Sequence, residues 1–571
     1  MTSPANTRLP ISDDVEAVLP AAISRAHDWL KSTADEEDKA TEQLADLLRD
    51  EDGVKFTMDF VDRVMRPEDD KVAAHALKDI SSHYDPSFLG SINGALVGAG
   101  GFFGPILPNL VMPVARLYMR KMVGHLVLDA ESDALNKILD KAAESGEQLN
   151  LNLLGEAVLG EEEAKSRAQR TLKLIQNPRV TYVSVKASSM VAQLNHWDID
   201  GSVERLKERL RPLYQAAADR TDKVFINMDM EEYHDLHLTI RLFKELLSEP
   251  EFLTLDAGIV LQAYLPDTFD ALKDVADFAK ERVAKGGGKV KVRIVKGANL
   301  SMETVQGEVH DWPLATYTNK LDVDANYYRL LDFILREEYA GSIRIGVATH
   351  NLYTAAMAYE LGKKRGVLHM LDSEMLQGMS PAQQAAVRKV FEGRQILYTP
   401  VVHADDFDVA VSYLVRRLEE NSAPQNFLYA LFAPGEEPLA DQEETFRRAV
   451  AKRWDTFAGA RRTQNRLEED GRQAPRTGRF TNEADTDPAL APNRQWAQEA
   501  LKRNPGEHGI AEVTDPTAVE GHIARAKELG TEWGKRPAAE RAAALEAVAD
   551  QIASQRGKFI SVAAYEANKT V

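Results

Sequence analysis

Between residues 146 and 435 the sequence predicts an α/β fold, a TIM-like (β/α)8 barrel, with an α-helical arm before it and a linker and partial helical segment after it. Eight short apolar, β-branched runs recur there: LNLNLL (149–154), VTYVSVK (180–186), KVFINMD (223–229), GIVLQAYL (258–265), VKVRIVK (290–296), SIRIGVAT (342–349), GVLHMLDSEML (366–376) and QILYTP (395–400). Longer amphipathic stretches fill the gaps, such as SVERLKERLRPLYQAA and DTFDALKDVADFAKERVA. Near-continuous apolar strands suit a parallel sheet buried on both faces. A doubly wound sheet is the alternative, but no GxGxxG follows any strand, which argues against it and against a Rossmann-type dinucleotide site.

Residues 1–145 read as helices, with Phe56, Phe60, Val64 and Met65 at helical spacing in GVKFTMDFVDRVM. Pro86 to Ala115 holds no charged residue and is long enough to cross a bilayer, but its six glycines and four prolines leave no uninterrupted apolar helix of that length. A buried connection or a lipid-facing patch fits it better. Residues 436–505 are polar and arginine-rich and read as linker and tail. Residues 506–571 turn helical again.

The net charge of −19 disfavours non-specific binding to nucleic acid or anionic lipid. With no cysteine, the chain has no disulfide, thiol nucleophile or thiolate metal site. That composition suits a reducing cytoplasm, and the first residues contain no apolar signal region.

Reacting groups in such barrels gather at the C-terminal ends of the strands. Here those ends offer Asn152 with Glu156, Lys186, Asp229, Gln262, Arg293 with Lys296, Thr349-His350-Asn351, Glu374 and Tyr398. A ring of polar groups at one mouth suits a large polar ligand bound together with a small one. Arg293 and Val295 are expected to face one way along their strand and Lys296 the other. After the last strand, a helix carries Arg416 and Arg417, about 100° apart, with Glu420 one turn on. Paired guanidinium groups match a small carboxylate, although two solvated arginines would look the same in sequence. Lys186 or Lys296 could serve a Schiff-base lyase, and a non-catalytic docking module would keep the mouth without turnover. The HDLH run (234–237) lacks a convincing third ligand, so no metal is expected.

LLGEA (153–157), VSVKAS (183–188), INMDMEEY (226–233), VLQAYL (260–265), VRIVKGA (292–298), ATHN (348–351), SEMLQGM (373–379) and YLVRRLEEN (413–421) resemble, in this order, the proline dehydrogenase domain of bifunctional proline utilization A flavoenzymes. The resemblance implies FAD as cofactor, hydride transfer from L-proline to flavin N5 to give Δ1-pyrroline-5-carboxylate, and membrane quinone as the electron acceptor. It further implies that Arg416 and Arg417 hold the proline carboxylate, with Glu420 orienting them and Glu156 pairing with Arg416 as a gate. Lys186, Asp229, Tyr398 and Leu376 would line the substrate pocket. Arg293, Gln262, Val295, Lys296, Gly297, Thr318, Ala348, Thr349, His350, Asn351 and Glu374 would surround the flavin. Asn152 and Asn299-Leu300 depart from the family's usual aspartate and bulky aromatic residues. Residues 506–571, ending YEANKTV, are similar to the first helices of aldehyde dehydrogenases, so the chain is expected to hold only the first of two activities. Peripheral association with the inner face of the cell membrane and a homo-oligomer belong to the same set of expectations.

Overall fold

Eight parallel strands close on themselves: β2 (Gln148–Leu153), β3 (Tyr182–Lys186), β4 (Phe225–Asp229), β5 (Ala257–Gln262), β6 (Val290–Val295), β7 (Ile343–Ala348), β8 (Leu371–Leu376) and β9 (Gln395–Val402). A two-residue strand, β1 (Leu128–Asp129), precedes them and pairs with Val401 and Val402 of β9. The barrel is shut by β9 against β2, from Gln148↔Ile396 to Leu153↔Val401, and against β8 as far as Leu376↔Tyr398. The structure, a computed structural model, describes residues 13–33, 51–65, 67, 69–84, 101, 104, 106–109, 111–115, 127–130, 133–155, 158–403, 410, 413, 417, 420, 423–433, 435, 437–469, 471, 482–503 and 513–571.

All of β5 and β9 is buried, which is why these strands read as near-continuous apolar runs. The run beginning at Gly366 enters the sheet only at Leu371, because Leu368–Met370 form a 3-10 turn first. Helices follow the strands, among them Glu161–Gln176, Leu236–Leu247, Thr268–Ala284, Lys320–Ile334, Leu352–Lys364 and Pro381–Val390. Past β9, the described positions 410, 413, 417 and 420 are helical.

The chain forms two compact units, residues 1–194, 200–300 and 316–460 in the first and 195–199, 301–315 and 461–571 in the second. They cut across the expected boundaries at 145 and 435. In the first unit, helix Asp13–Thr33 buries Val15, Val18, Ala22, Ile23, Ala26 and Trp29 and packs against Leu352–Lys364. Arg365 pairs with Asp14 and Asp332, each at 2.7 Å, and Arg453 with Glu16 at 2.6 Å and Asp332 at 2.9 Å. Helices Glu51–Phe60 and Asp70–His83 build a small core in which Phe56, Phe60, Val64 and Leu77 meet Met379 and Tyr413.

The expected linker is structured. Helix Glu437–Lys452 buries Phe446, Ala449 and Val450 and packs on Lys320–Ile334. Within the second unit, Arg462 and Arg466 are buried. Arg462 lies 3.3 Å from Asp487 and stacks 4.9 Å from the Trp312 ring, and Arg466 holds Glu469 at 2.7 Å. Arginine-rich composition hid this order, because guanidinium groups with fixed partners can be buried. Helix Ala491–Lys502 packs on Arg556–Ala567, while Pro516–Lys535 and Ala538–Ser554 bury no residue. No helix among the described residues is long and apolar enough to cross a membrane. Of the uncharged segment 86–115, residues 86–100, 102, 103, 105 and 110 lie outside them.

Candidate active site

The barrel lumen is charged, unlike the Val, Ile and Leu filling usual in such barrels: Asn150, Ser184, Asn227, Asp229, Lys291, Arg293, Asp372 and Glu374 are all buried. At its C-terminal mouth lies one cavity, walled by strand ends from all eight barrel strands and by the segments that follow β6, β7 and β9. Lys186, Asp229, Gln262, Arg293, Val295, Lys296, Gly297, Ala348, Thr349, His350, Asn351, Glu374, Leu376, Tyr398, Arg417 and Glu420 all line it. Thr318 does not: it is exposed, one residue ahead of Asn319, which caps Lys320–Ile334. Arg416 and Glu156 lie outside the described residues.

Arg293 anchors the floor. Its Nε is 2.8 Å from Glu374 Oε2, its Nη1 is 3.7 Å from Asp229 Oδ1, and its guanidinium stands 4.3 Å from the centre of the Tyr398 ring. Burial alone would lower its pKa, but Glu374 and Asp229 outweigh burial and hold it above the usual value. Tyr398 donates its hydroxyl to Asp229 Oδ2 at 2.9 Å and accepts from Asn152 Nδ2. Burial pushes Asp229 up, against the pull of Arg293 and Lys186, and pushes the Tyr398 phenol up further, with help from Asp229.

Two lysines flank this floor, each committed to a carboxylate. Lys186 Nζ is 2.6 Å from Glu231 Oε1, whose other oxygen accepts from Ser188 at 2.6 Å. Burial would raise Glu231, but Lys186 and Ser188 bring it below the usual range. Lys296 Nζ is 2.6 Å from Asp324 Oδ1, and Lys320 holds the second oxygen. Burial lowers the Lys296 ammonium to about 8, with Asp324 opposing. Val295 and Lys296 both reach the cavity, whereas alternation placed them on opposite faces. The strand has ended at Val295, and Gly297, at φ +122°, turns the chain; a Cβ there would strike the Tyr264 ring.

After β7 the chain enters helix Leu352–Lys364 through Thr349-His350-Asn351. Asn351 caps the helix, accepting from Thr354 N–H at 3.1 Å. His350 Nε2 accepts from Leu376 N–H at 2.9 Å, so the ring proton sits on Nδ1, and burial lowers its pKa to about 4. That Nδ1, Gln262 Oε1 and Arg417 Nε are buried without a hydrogen-bond partner. Arg417 pairs with Glu420 at 2.5 Å and lies 5.3 Å from the Tyr413 ring.

Among the wall residues that the sequence did not single out are the polar side chains of Glu231, Lys320, Tyr413 and Asn426. Tyr413 had a readable signal, four residues before Arg417 on the same helix face. Glu231 had none, because it lies past a strand end with acidic Asp229 and Glu232 close beside it.

Comparison with known proteins supplies the family. The profile described as proline dehydrogenase matches residues 134–430, a little over half of the chain. The chain belongs to the proline dehydrogenase family. It is 26 % identical over 544 residues to the bifunctional protein PutA of Klebsiella aerogenes and to that of Escherichia coli. Those alignments cover 86 % of this chain but 40 % and 39 % of the relatives, so the chain spans well under half of their length. The solved structure of proline utilization A from Corynebacterium freiburgense is 52 % identical, with a TM-score of 0.67 over 79 % of this chain and 43 % of that one. That from Bdellovibrio bacteriovorus gives a TM-score of 0.74 over 96 % of this chain and 58 % of its own at 24 % identity, a likeness of fold.

Donors and acceptors left without partners fit a flavin nucleotide. Its ring offers both a donor N–H and acceptor carbonyls, which suit Gln262 Oε1 and the His350 Nδ1–H. Its phosphates suit Lys296, Lys320 and the N-terminus of Leu352–Lys364.

Proposed function

We propose that the chain oxidises L-proline to Δ1-pyrroline-5-carboxylate with FAD held in the barrel mouth and electrons passed on to membrane quinone. The observation that carries this is Arg417, a guanidinium with a buried unpartnered Nε, lining the same cavity as the Arg293–Tyr398–Asp229 floor and the unpartnered groups suited to a flavin. FAD, when bound, supplies the two-electron hydride acceptor. Gln262, Arg293, Val295, Lys296, Gly297, Ala348, Thr349, His350 and Asn351 would hold it, with Glu374 behind Arg293.

Arg417, with Arg416, grips the proline carboxylate, and Glu420 fixes the angle of Arg417. Gripping that end presents the ring carbon beside nitrogen to the acceptor. The C–H bond breaks with its electron pair leaving as hydride, and the nitrogen lone pair closes the C=N bond, so the amine must have lost its ammonium proton first. Asp229, pushed up by burial and facing Lys186, lines the pocket where that proton departs. Tyr398 and Leu376 wall the ring. The carboxylate's charge does not change along this path, so the arginines act in binding and orientation.

Lys186 and Lys296 each sit 2.6 Å from a carboxylate, an arrangement that suits fixed cations better than a free amine for Schiff-base chemistry. The helices past residue 513 read as the opening of an aldehyde dehydrogenase unit, which the apolar side chains exposed there support, Ile523, Trp533, Ile552 and Phe559 among them.

The test is the visible spectrum of the purified chain before and after anaerobic addition of L-proline. Flavin bands that bleach support the reading. Bands that persist discard the substrate, and a chain that takes up no FAD discards the cofactor. Co-sedimentation with liposomes that is indifferent to substrate would count against delivery to a membrane quinone.

A further inference from the structure

Arg293 lines the cavity, but the group that governs its charge lies one layer below. Lys291 and Arg293 are two apart on β6, so both point into the lumen. The Lys291 side chain is 1 % exposed, its ammonium 2.6 Å from Glu374 Oε1 and 3.1 Å from Asp372 Oδ2. Glu374 gives its other oxygen to Arg293. Asp372 continues to Arg344 at 2.6 Å, and Arg293 continues to Asp229. Three cations thus alternate with three carboxylates in one chain, from Arg344 near the strand starts to Asp229 at the mouth. Gly346 on β7 makes the space: a Cβ there would run into Glu374 Oε1 and stand 2.9 Å from Lys291 Cε.

The fold by itself has no need of this charge. A buried ion pair is often no more stabilising than apolar groups of the same volume, and a methionine would occupy the length of Lys291. What the ammonium does is divide Glu374 between two cations. Without it, the whole carboxylate charge falls on Arg293.

We infer that Lys291 is a positioning residue: by holding one oxygen of Glu374 it leaves Arg293 only partly neutralised, so that the guanidinium directs positive potential into the cavity and favours the reduced, more electron-rich cofactor. The inference rests on the flavin reading above. In Lys291→Met, Arg293 is fully neutralised by Glu374 and reduction becomes harder.

The experiment is the reduction potential of FAD bound to the full chain, by anaerobic equilibration against a reference dye. For Lys291→Met the ratio of reduced to oxidised cofactor at fixed potential falls about tenfold, a shift of about 30 mV to the negative for a two-electron couple. Lys291→Arg keeps the wild-type value. Lys291→Met with Glu374→Gln, which removes one charge of each sign, returns close to it. An unmoved potential in the single variant, or the same shift in single and double variants, overturns the inference. If Lys291→Met does not fold, Glu374→Gln reads the same link in reverse: it frees Arg293 and moves the potential positive, and no movement there overturns the inference. A wild-type chain that binds no FAD removes the flavin reading and this inference together, whereas bound flavin at an unmoved potential removes this inference alone.

Discussion

Replacing Arg417 by methionine separates a binding arginine from a chemical one. Its side chain is 21 % exposed, paired at 2.5 Å with a Glu420 that is itself 41 % exposed. Hydrogen bonds to charged groups contribute about 1.5–3 kcal/mol, and partial exposure puts this one near the lower half, about 2 kcal/mol. At about 1.4 kcal/mol per decade, that is roughly a thirtyfold loss of kcat/KM for L-proline. Because the carboxylate keeps its charge throughout the reaction, the loss should fall on KM, with kcat nearly unchanged. Arg417→Lys should recover part of it, keeping the charge while losing the planar fork. Steady-state rates with a soluble dye as electron acceptor measure all three proteins. A fall in kcat at constant KM, or a lysine variant no better than methionine, would refute the reasoning.

Gly297→Ala should cost about 1–3 kcal/mol and lower the thermal midpoint, since φ is +122° and the new Cβ meets the Tyr264 ring; a midpoint within a degree or so of wild type would contradict this. Arg453→Met strips a buried cation from Asp332 and Glu16, yet Asp332 keeps Arg365 at 2.7 Å and the Trp454 Nε1–H at 2.8 Å. The loss should therefore sit at about 3 kcal/mol, the low end for a broken buried pair, read from guanidinium unfolding curves. FAD affinity should fall as pH rises through about 8, where the lowered Lys296 ammonium loses its proton and with it its attraction for phosphate. Fluorescence titration either side of that pH tests the slope, and Lys296→Met should abolish it.

Much of the barrel was legible. Its strands are buried on both faces and rich in Val, Ile and Leu, so eight separate runs could be counted without knowing their partners, and seven of them start within about two residues of the observed strands. The run at 366 was read five residues early because a 3-10 turn rich in Leu and Met has the same composition as a strand. The stretch after 435 was misjudged for the opposite reason. Charged composition suggested a linker, but Arg453 and Arg462 are buried against Asp332 and Asp487, and no local pattern announces a partner more than twenty residues away.

At the mouth, strand ends told which residues could meet but not how they would pair. The sequence by itself determined the barrel, the ring of polar strand ends and the Arg417–Glu420 helix turn, because each follows from a period of two or of 3.6 residues along the chain. Only the tertiary structure decided that Lys186 turns to Glu231, that Lys296 turns to Asp324, and that Lys291 lies beneath Arg293 sharing Glu374. Those pairings join different strands and helices, and closing the barrel is what brings their side chains within ion-pair distance.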